Sequence, residues 1–339
     1  MSSDAAAAGL WLLTGDRPGE VAQQRRLAAA TGLPCREIQV TQLRTVGGRP
    51  RFDLDALQPP WPRIALSFGK TLAAALHLRH ASGGRTRIVH LGRARGVAAD
   101  ALDLIIPMPQ DQLANAANVL RIRMPFNYPD APADSAGHDQ ARLLALQLPR
   151  PWTALIIGGA TRQLRFSRTA IAALVRDTCA RARQRGGSVL ISTSPRTPAS
   201  AIAALRAAQD APGEFYAFRR NDPHNPLASY LQLADELIVT GDSVSMIAEC
   251  WRSGRPVWVA PLRDSLWHRL GDVLRAVAPA RLMANGQVAV GSDVNAWIAA
   301  LASAGHVGHF GRSDPTRPYS ARDDDDLSRA VARIRALLD

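Results

Sequence analysis

The stretch from Ala234 to Pro261 constrains the fold more tightly than any other part of the chain. Its apolar run Leu237 to Val239 has the length and branching of a buried strand. The polar turn Thr240-Gly241-Asp242-Ser243 follows, and the pattern then predicts a helix over Val244 to Arg252. Gly254 stops that helix, and Pro256 to Val259 begins a second strand. Strand, turn, helix and strand make a βαβ unit with a parallel pair. In such sheets ligands sit at the carboxyl ends of the strands, facing helix N-termini. Here that edge carries Thr240, Asp242, Ser243 and Ser245. The free N–H groups and positive dipole end of the helix suit a phosphate. Glu249 lies about 9 Å along the helix from Ser243, a distance that suits a carboxylate gripping the ribose of a nucleotide. The plain alternative is that Ser243 is an N-cap and Glu249 a solvated helix residue. A capping box does not account for Glu249, because the residue three after Ser243 is Met246.

The same alternation of strand, polar turn and helix runs through most of the chain. In the first half, strands are predicted at Leu10 to Leu13, Arg36 to Val40, Ile64 to Ser67, Arg87 to Leu91 and Leu104 to Pro107. Helices are predicted at Val21 to Ala30 and from Thr71 to about Arg79, while Thr41 to Pro60 reads as irregular. In the second half the strands are Ala154 to Ile157, Ser188 to Ser192 and Glu214 to Phe218, followed by the central βαβ. Helices there are expected at Ser167 to Arg185, with Ser167 as cap, up to Ala208, and at Asn225 to Ala234. Others are expected at Asp139 to Leu148, Asp264 to Val277 and Asp293 to Ala304. The prolines between Met124 and Pro132 break the rhythm. The pattern therefore predicts an α/β chain of two Rossmann-like domains, 1–125 and 151–320, joined by a linker at 126–150. The amphipathic segment from Asp323 to Leu338, within 321–339, ends the chain, and its acidic run suits a helix N-terminus.

The chain's 339 residues accommodate two such domains. A net charge of +12 suggests nucleic acid, but the detail argues otherwise. Lys70 is the only lysine, so the positive charge is carried by arginine in an alanine-rich chain, the mark of a coding bias. Aromatic residues are not interleaved with basic runs, so no nucleic-acid partner is expected. Polyphosphate ligands and peripheral contact with an anionic membrane remain compatible with the charge. Cys35, Cys179 and Cys250 have neither metal nor redox spacing, which points to a reducing cytoplasm. No signal peptide is read at the N-terminus, and no apolar window is long enough to span a bilayer. The expected location is cytoplasmic, with the inner membrane face as a peripheral option.

Four polar turns follow strands in the second half: Gly158-Gly159-Ala160-Thr161-Arg162, Thr193-Ser194-Pro195-Arg196, the Asn221 to Asn225 loop, and Thr240 to Ser243. On one rim of a doubly wound sheet they would gather what a diphosphate needs. Glycines admit close backbone approach, hydroxyls donate, and guanidinium groups neutralise charge. The candidate nucleotide-binding residues are Gly158, Gly159, Thr161, Arg162, Thr193, Ser194, Arg196, Asp242, Ser243, Ser245 and Glu249. In the first half, Gly15-Asp16-Arg17-Pro18-Gly19 lacks the dinucleotide fingerprint. Phe68-Gly69-Lys70-Thr71 is no phosphate loop, because Ile64 occupies the upstream glycine position. Asp16, placed after the first strand, is the candidate catalytic carboxylate, and His90 a weaker one. No metal site is proposed, since no histidine has ligand-like spacing.

These motifs resemble the mitochondrial-fission ELM (elongated mitochondria) family. The matching stretches are Gly15 to Gly19 with Gln23-Gln24, Ile157 to Thr161, Ile191 to Pro198, Asn225-Pro226, and Val239 to Glu249. This chain has Gly241 where the family typically has Ala, and Ala160 where it has Pro. The resemblance implies a GT-B-like arrangement, two Rossmann-like domains facing a central cleft. It implies a nucleotide-sugar donor on the C-terminal domain and an acceptor on the N-terminal one, with Glu249 on the ribose. It also implies that the segment 321–339 packs back on the N-terminal domain.

The function expected from all this is transfer of a sugar from a nucleoside-diphosphate sugar to an unknown, envelope-related acceptor. No cofactor is called for; the nucleotide sugar enters as substrate. Helix dipole and arginine can stabilise a leaving diphosphate without metal. A nucleotide-sugar epimerase of the same fold and a non-catalytic scaffold at a membrane surface stay open, because fold does not decide among them.

Overall fold

The computed structural model describes residues 9–46, 49–52, 57–94, 97–113, 115–129, 147–161, 163–265 and 291–339. They divide into two compact units, one within Met1–Asn127, Arg275–Asp293 and Ala321–Asp339, the other within Tyr128–Leu274 and Val294–Ser320.

The chain opens with β1 (Leu10–Thr14), buried along its length, and α1 (Pro18–Thr31). Pro18 starts α1 three residues earlier than the apolar pattern predicts. Its ring presets φ, and it has no N–H to lose at a helix start. Gly32 ends the helix in the left-handed region at φ 66°. Then come β2 (Cys35–Gln39), β3 (Gln42–Val46) and β4 (Arg49–Phe52). The last two pair antiparallel, which corrects the expectation of irregular chain from Thr41 to Pro60. The prolines hide the strands in the sequence, whereas Gly47-Gly48 after the β-formers Thr45-Val46 is itself a hairpin signal. Next are β5 (Ile64–Phe68), α2 (Leu72–Ala81), β6 (Arg87–Leu91), β7 (Leu104–Ile106) and β8 (Asp111–Gln112). The first sheet is parallel in the order β2-β1-β5-β6-β7.

The second unit builds β9 (Trp152–Ile157), α3 (Arg168–Gln184), β10 (Ser188–Thr193), α4 (Ala199–Ala207) and β11 (Gly213–Tyr216). Ser167 caps α3, accepting the amide of Ala170 at 3.3 Å. The chain continues through α5 (Leu227–Leu233), β12 (Glu236–Thr240), α6 (Val244–Arg252) and β13 (Val257–Ala260). After β14 (Gly291–Ser292) come α7 (Val294–Ser303) and β15 (Gly308–His309). The second sheet is parallel in the order β11-β10-β9-β12-β13-β15. The helices predicted at 139–148 and 264–277 fall mostly outside the described residues.

Two late segments belong to the first unit. β14 pairs antiparallel with β8, an excursion that the local pattern does not announce. The chain ends in α8 (Asp326–Arg335), whose Ala330 and Ile334 are fully buried beside Leu27 and Ala28. Buried Asp326 accepts the amides of Arg123 at 2.6 Å and Met124 at 3.1 Å. At the other end of α8, Arg335 donates to the Thr31 carbonyl from Nη2 at 2.8 Å and from Nε at 3.1 Å.

Strand order decides where ligands can enter each sheet. In the second sheet the chain runs outward from β9 through β10 and β11, then returns to place β12 on the other side of β9. At such a switch point the loops leave in opposite directions and open a crevice at the carboxyl edge. The switch point of the second sheet lies between β9 and β12, and that of the first between β1 and β5.

Candidate functional site

Gly158-Gly159 follow β9 and Gly241-Asp242-Ser243 follow β12, so both flank the second switch point. The turn after β10 closes beside them. A chain of hydrogen bonds joins the three turns. The Gly158 amide donates to Thr240 Oγ1 at 2.7 Å, and Thr240 Oγ1 donates to Asp242 Oδ1 at 2.6 Å. The Gly159 amide donates to Asp242 Oδ2 at 2.9 Å. Arg196 reaches the same oxygen, with Nη2 at 2.8 Å. The Asp242 side chain is wholly buried, while that of Arg196 is 40% exposed. Burial pushes the Asp242 carboxyl up from its ordinary value, and Arg196, Thr240 and Gly159 pull against that.

Thr197 fastens the second turn from the other side. Its hydroxyl donates to the Gly158 carbonyl at 2.6 Å and accepts the Ser194 amide at 3.1 Å. Ser194 Oγ accepts the Arg196 amide at 3.2 Å. Thr193 Oγ1 accepts the Phe218 amide at 2.9 Å and so ties this turn to the chain leaving β11. The two glycines are demanded by this packing. A Cβ on Gly158 would overlap the Asp242 carboxylate, and one on Gly159 the carbonyl of Arg196. The close approach that the glycines permit is to the protein's own groups.

Helix α6 rises from the third turn. Ser243 is its N-cap residue by backbone geometry, with φ −123° and ψ 100°, yet its side chain makes no capping bond. Ser243, Ser245 and Glu249 are half-buried. Ser245 and Glu249 share a face, four residues apart. The opposite face buries Ile247 and Trp251. The far end of α6 is pinned by aromatic contacts. Trp251 meets Tyr319 edge-on with ring centroids 4.8 Å apart, and Arg252 lies 4.0 Å over Tyr128. These contacts hold the C-terminal end of α6, and its start lies at the switch point.

The structure brings Gly158, Gly159, Thr193, Ser194, Arg196, Asp242 and Ser243 to this carboxyl edge, with Ser245 and Glu249 along α6. Thr161 is engaged locally, its hydroxyl accepting the amides of Gln163 at 3.2 Å and Leu164 at 3.0 Å. Arg162 lies outside the described residues. Asp16 occupies an exposed turn at the carboxyl end of β1, at the first switch point, next to the Arg17–Glu20 pair at 2.8 Å. His90 does not reach the rim. It is fully buried, with Nδ1 2.9 Å from Ser67 Oγ and Nε2 3.2 Å from the Arg93 carbonyl. Burial lowers its pKa to about 4, so the ring is neutral at pH 7. Thr240 and Thr197 are central to the frame; the sequence marks Thr240 at the carboxyl edge and Thr197 only as part of the stretch after β10. Among the described residues no group of three or more His, Cys, Asp or Glu is placed to hold a metal.

The fold has counterparts among solved structures. It aligns with the S. aureus MnaA-UDP co-structure at TM-score 0.52 and 11% identity, over 97% of this chain and 96% of that one. The spinosyn forosaminyltransferase SpnP aligns at TM-score 0.44 and 12% identity, over 98% and 95% of the two chains. The UDP-GlcNAc 2-epimerase from Neisseria meningitidis bound to UDP-GlcNAc aligns at TM-score 0.43 and 10% identity, over 83% and 94%. The fold is thus similar to that of the MnaA structure. In sequence, the chain is 30% identical over 135 residues to the mitochondrial fission protein ELM1 of Arabidopsis thaliana. That stretch covers 40% of this chain and 30% of the plant protein. The mitochondrial fission ELM1 family model matches residues 18–303, and the chain belongs to that family.

Proposed function

We propose that the second unit binds a nucleoside diphosphate at the β9–β12 switch point, as the leaving half of a nucleotide sugar. The carrying observation is the start of α6, which lies at the switch point with no side-chain cap, beside the partly exposed guanidinium of Arg196. First-turn amides, the hydroxyls of Ser243 and Ser245, and Arg196 offer the donors that a diphosphate needs. Glu249 lies deeper along α6, at ribose reach from a phosphate on the first turn. The UDP in the S. aureus MnaA co-structure supports the ligand class.

The chemistry that fits is metal-independent glycosyl transfer. As the bond from the sugar to the diphosphate breaks, negative charge grows on the leaving oxygen. A preorganised helix start and a guanidinium stabilise that charge without rearranging.

Calorimetric titration with uridine, guanosine, adenosine and cytidine diphosphates tests the reading, with Glu249→Gln as the comparison. The charged hydrogen bond to ribose is worth roughly 1–3 kcal/mol, so Glu249→Gln weakens binding by that amount and keeps the fold. Equal affinity of the two proteins removes Glu249 from the site. No binding by folded wild type moves a scaffold role at a membrane surface ahead of the enzyme. Sugar-nucleotide interconversion without an acceptor would select the epimerase.

A further inference from the structure

The Asp242 carboxylate sits at the centre of the candidate site, but all its geometry points inward. Both oxygens are occupied, one by Thr240, the other by Gly159 and Arg196, and none of the side chain is exposed. A carboxylate so placed has no oxygen to offer a ligand, and its charge repels a phosphate. Arg196 is the opposite case. Its Nη2 is held by Asp242, its Nη1 makes only a long 3.5 Å contact with the Asp242 carbonyl, and its side chain remains partly exposed. Its backbone is fixed independently, because the amide bonds Ser194 Oγ and the turn is fastened to Gly158 through Thr197.

We infer that Asp242 is a positioning residue: its buried carboxylate orients the Arg196 guanidinium at the switch point so that the fork's remaining donors meet an anionic oxygen of the ligand. This deepens the anion-binding reading above and rests on it. Asp242 touches no ligand atom and acts through Arg196. An exposed arginine samples many rotamers, and a guanidinium already held by a carboxylate has spent that freedom before the ligand arrives. The carboxylate also repels the anion, but it does so from behind its own counter-ion and across a rim where solvent screens. Orientation therefore outweighs repulsion, and neutralising Asp242 weakens anion binding.

The test is a double-mutant cycle read by calorimetry, with Asp242→Asn, Arg196→Met and both together. The probes are a nucleoside diphosphate, its parent nucleoside and inorganic pyrophosphate. Asp242→Asn should weaken diphosphate binding roughly tenfold, leave nucleoside binding unchanged, and add nothing in the Arg196→Met background. A loss of the same size in that background, or an equal loss for the nucleoside, would show a merely structural role and overturn the inference. If Asp242→Asn does not fold, Arg196→Lys decides, because it keeps the charge and loses the fork. Diphosphate affinity equal to wild type in Arg196→Lys overturns the inference, and a loss confined to diphosphate supports it. Pyrophosphate separates this inference from the nucleotide reading. Wild type that binds pyrophosphate but no nucleoside diphosphate sinks the nucleotide reading, and the same cycle run on pyrophosphate decides the role of Asp242. Wild type that binds neither overturns both.

Discussion

Asp242 Oδ2 lies 2.8 Å from Arg196 Nη2, and the pair joins the turn after β12 to the turn after β10 across the end of β9. Gly158 and Gly159 lie between these turns, and their missing side chains are what let the pair form.

Gly158→Ala should therefore destabilise the second unit. Its new Cβ meets a buried carboxylate that has no room to retreat, a cost of about 2–3 kcal/mol. Gly186→Ala is the comparison, with φ at +68° and nothing within 4 Å of the added carbon. There only backbone strain applies, about 1 kcal/mol. Urea denaturation of both variants checks the order; a smaller loss for Gly158→Ala would mean that the frame is loose.

Stability should depend on His90 below neutral pH. Its pKa is about 4 in the fold and about 6.5 when unfolded, so between these values the unfolded chain binds more protons. The contribution of His90 is present above pH 6.5, falls as pH drops to 4, and is flat below. The full swing is roughly 3 kcal/mol for a wholly buried ring. Denaturation midpoints of wild type and His90→Gln between pH 7.5 and 4.5 measure it. Parallel curves would mean that the imidazole is not the titrating group.

Asp326→Ala should loosen the C-terminal helix from the first unit. It removes the acceptor for the Arg123 and Met124 amides, and Met124 is fully buried. A buried donor left unpaired costs roughly 1–3 kcal/mol. Asp326→Asn keeps an acceptor and should cost less. Hydrogen exchange at Met124 reads the change directly, and unchanged protection in Asp326→Ala would refute it.

Any membrane association should be peripheral and salt-sensitive. The chain carries +12, and no described helix is long and apolar enough to cross a membrane. Co-sedimentation with vesicles rich in phosphatidylserine should fall between 0.05 and 0.5 M salt, as the screening length drops below about 10 Å. Binding that resists salt would point to insertion of apolar surface.

The sequence by itself determined the parallel α/β character and the element that carries the candidate site. Apolar runs, a polar turn and a stopping glycine lie close together along the chain, so α6 emerges with the predicted bounds Val244–Arg252. Local pattern also put Thr193, Arg196, Asp242 and Ser243 at strand ends. It could not say which way a strand-end side chain turns. Asp242 reads as a rim carboxylate in sequence, yet its partners Gly159 and Arg196 lie 83 and 46 residues away. Only the strand order brings them within reach, and only then does burial decide that the carboxylate faces inward and the guanidinium outward. The β8–β14 pairing likewise joins segments about as far apart as the domains are long, and no local signal encodes it. Periodicity reports what a residue does relative to its chain neighbours. Who its neighbours are in space is settled by strand order and packing within the second unit, and the candidate site is made of those contacts.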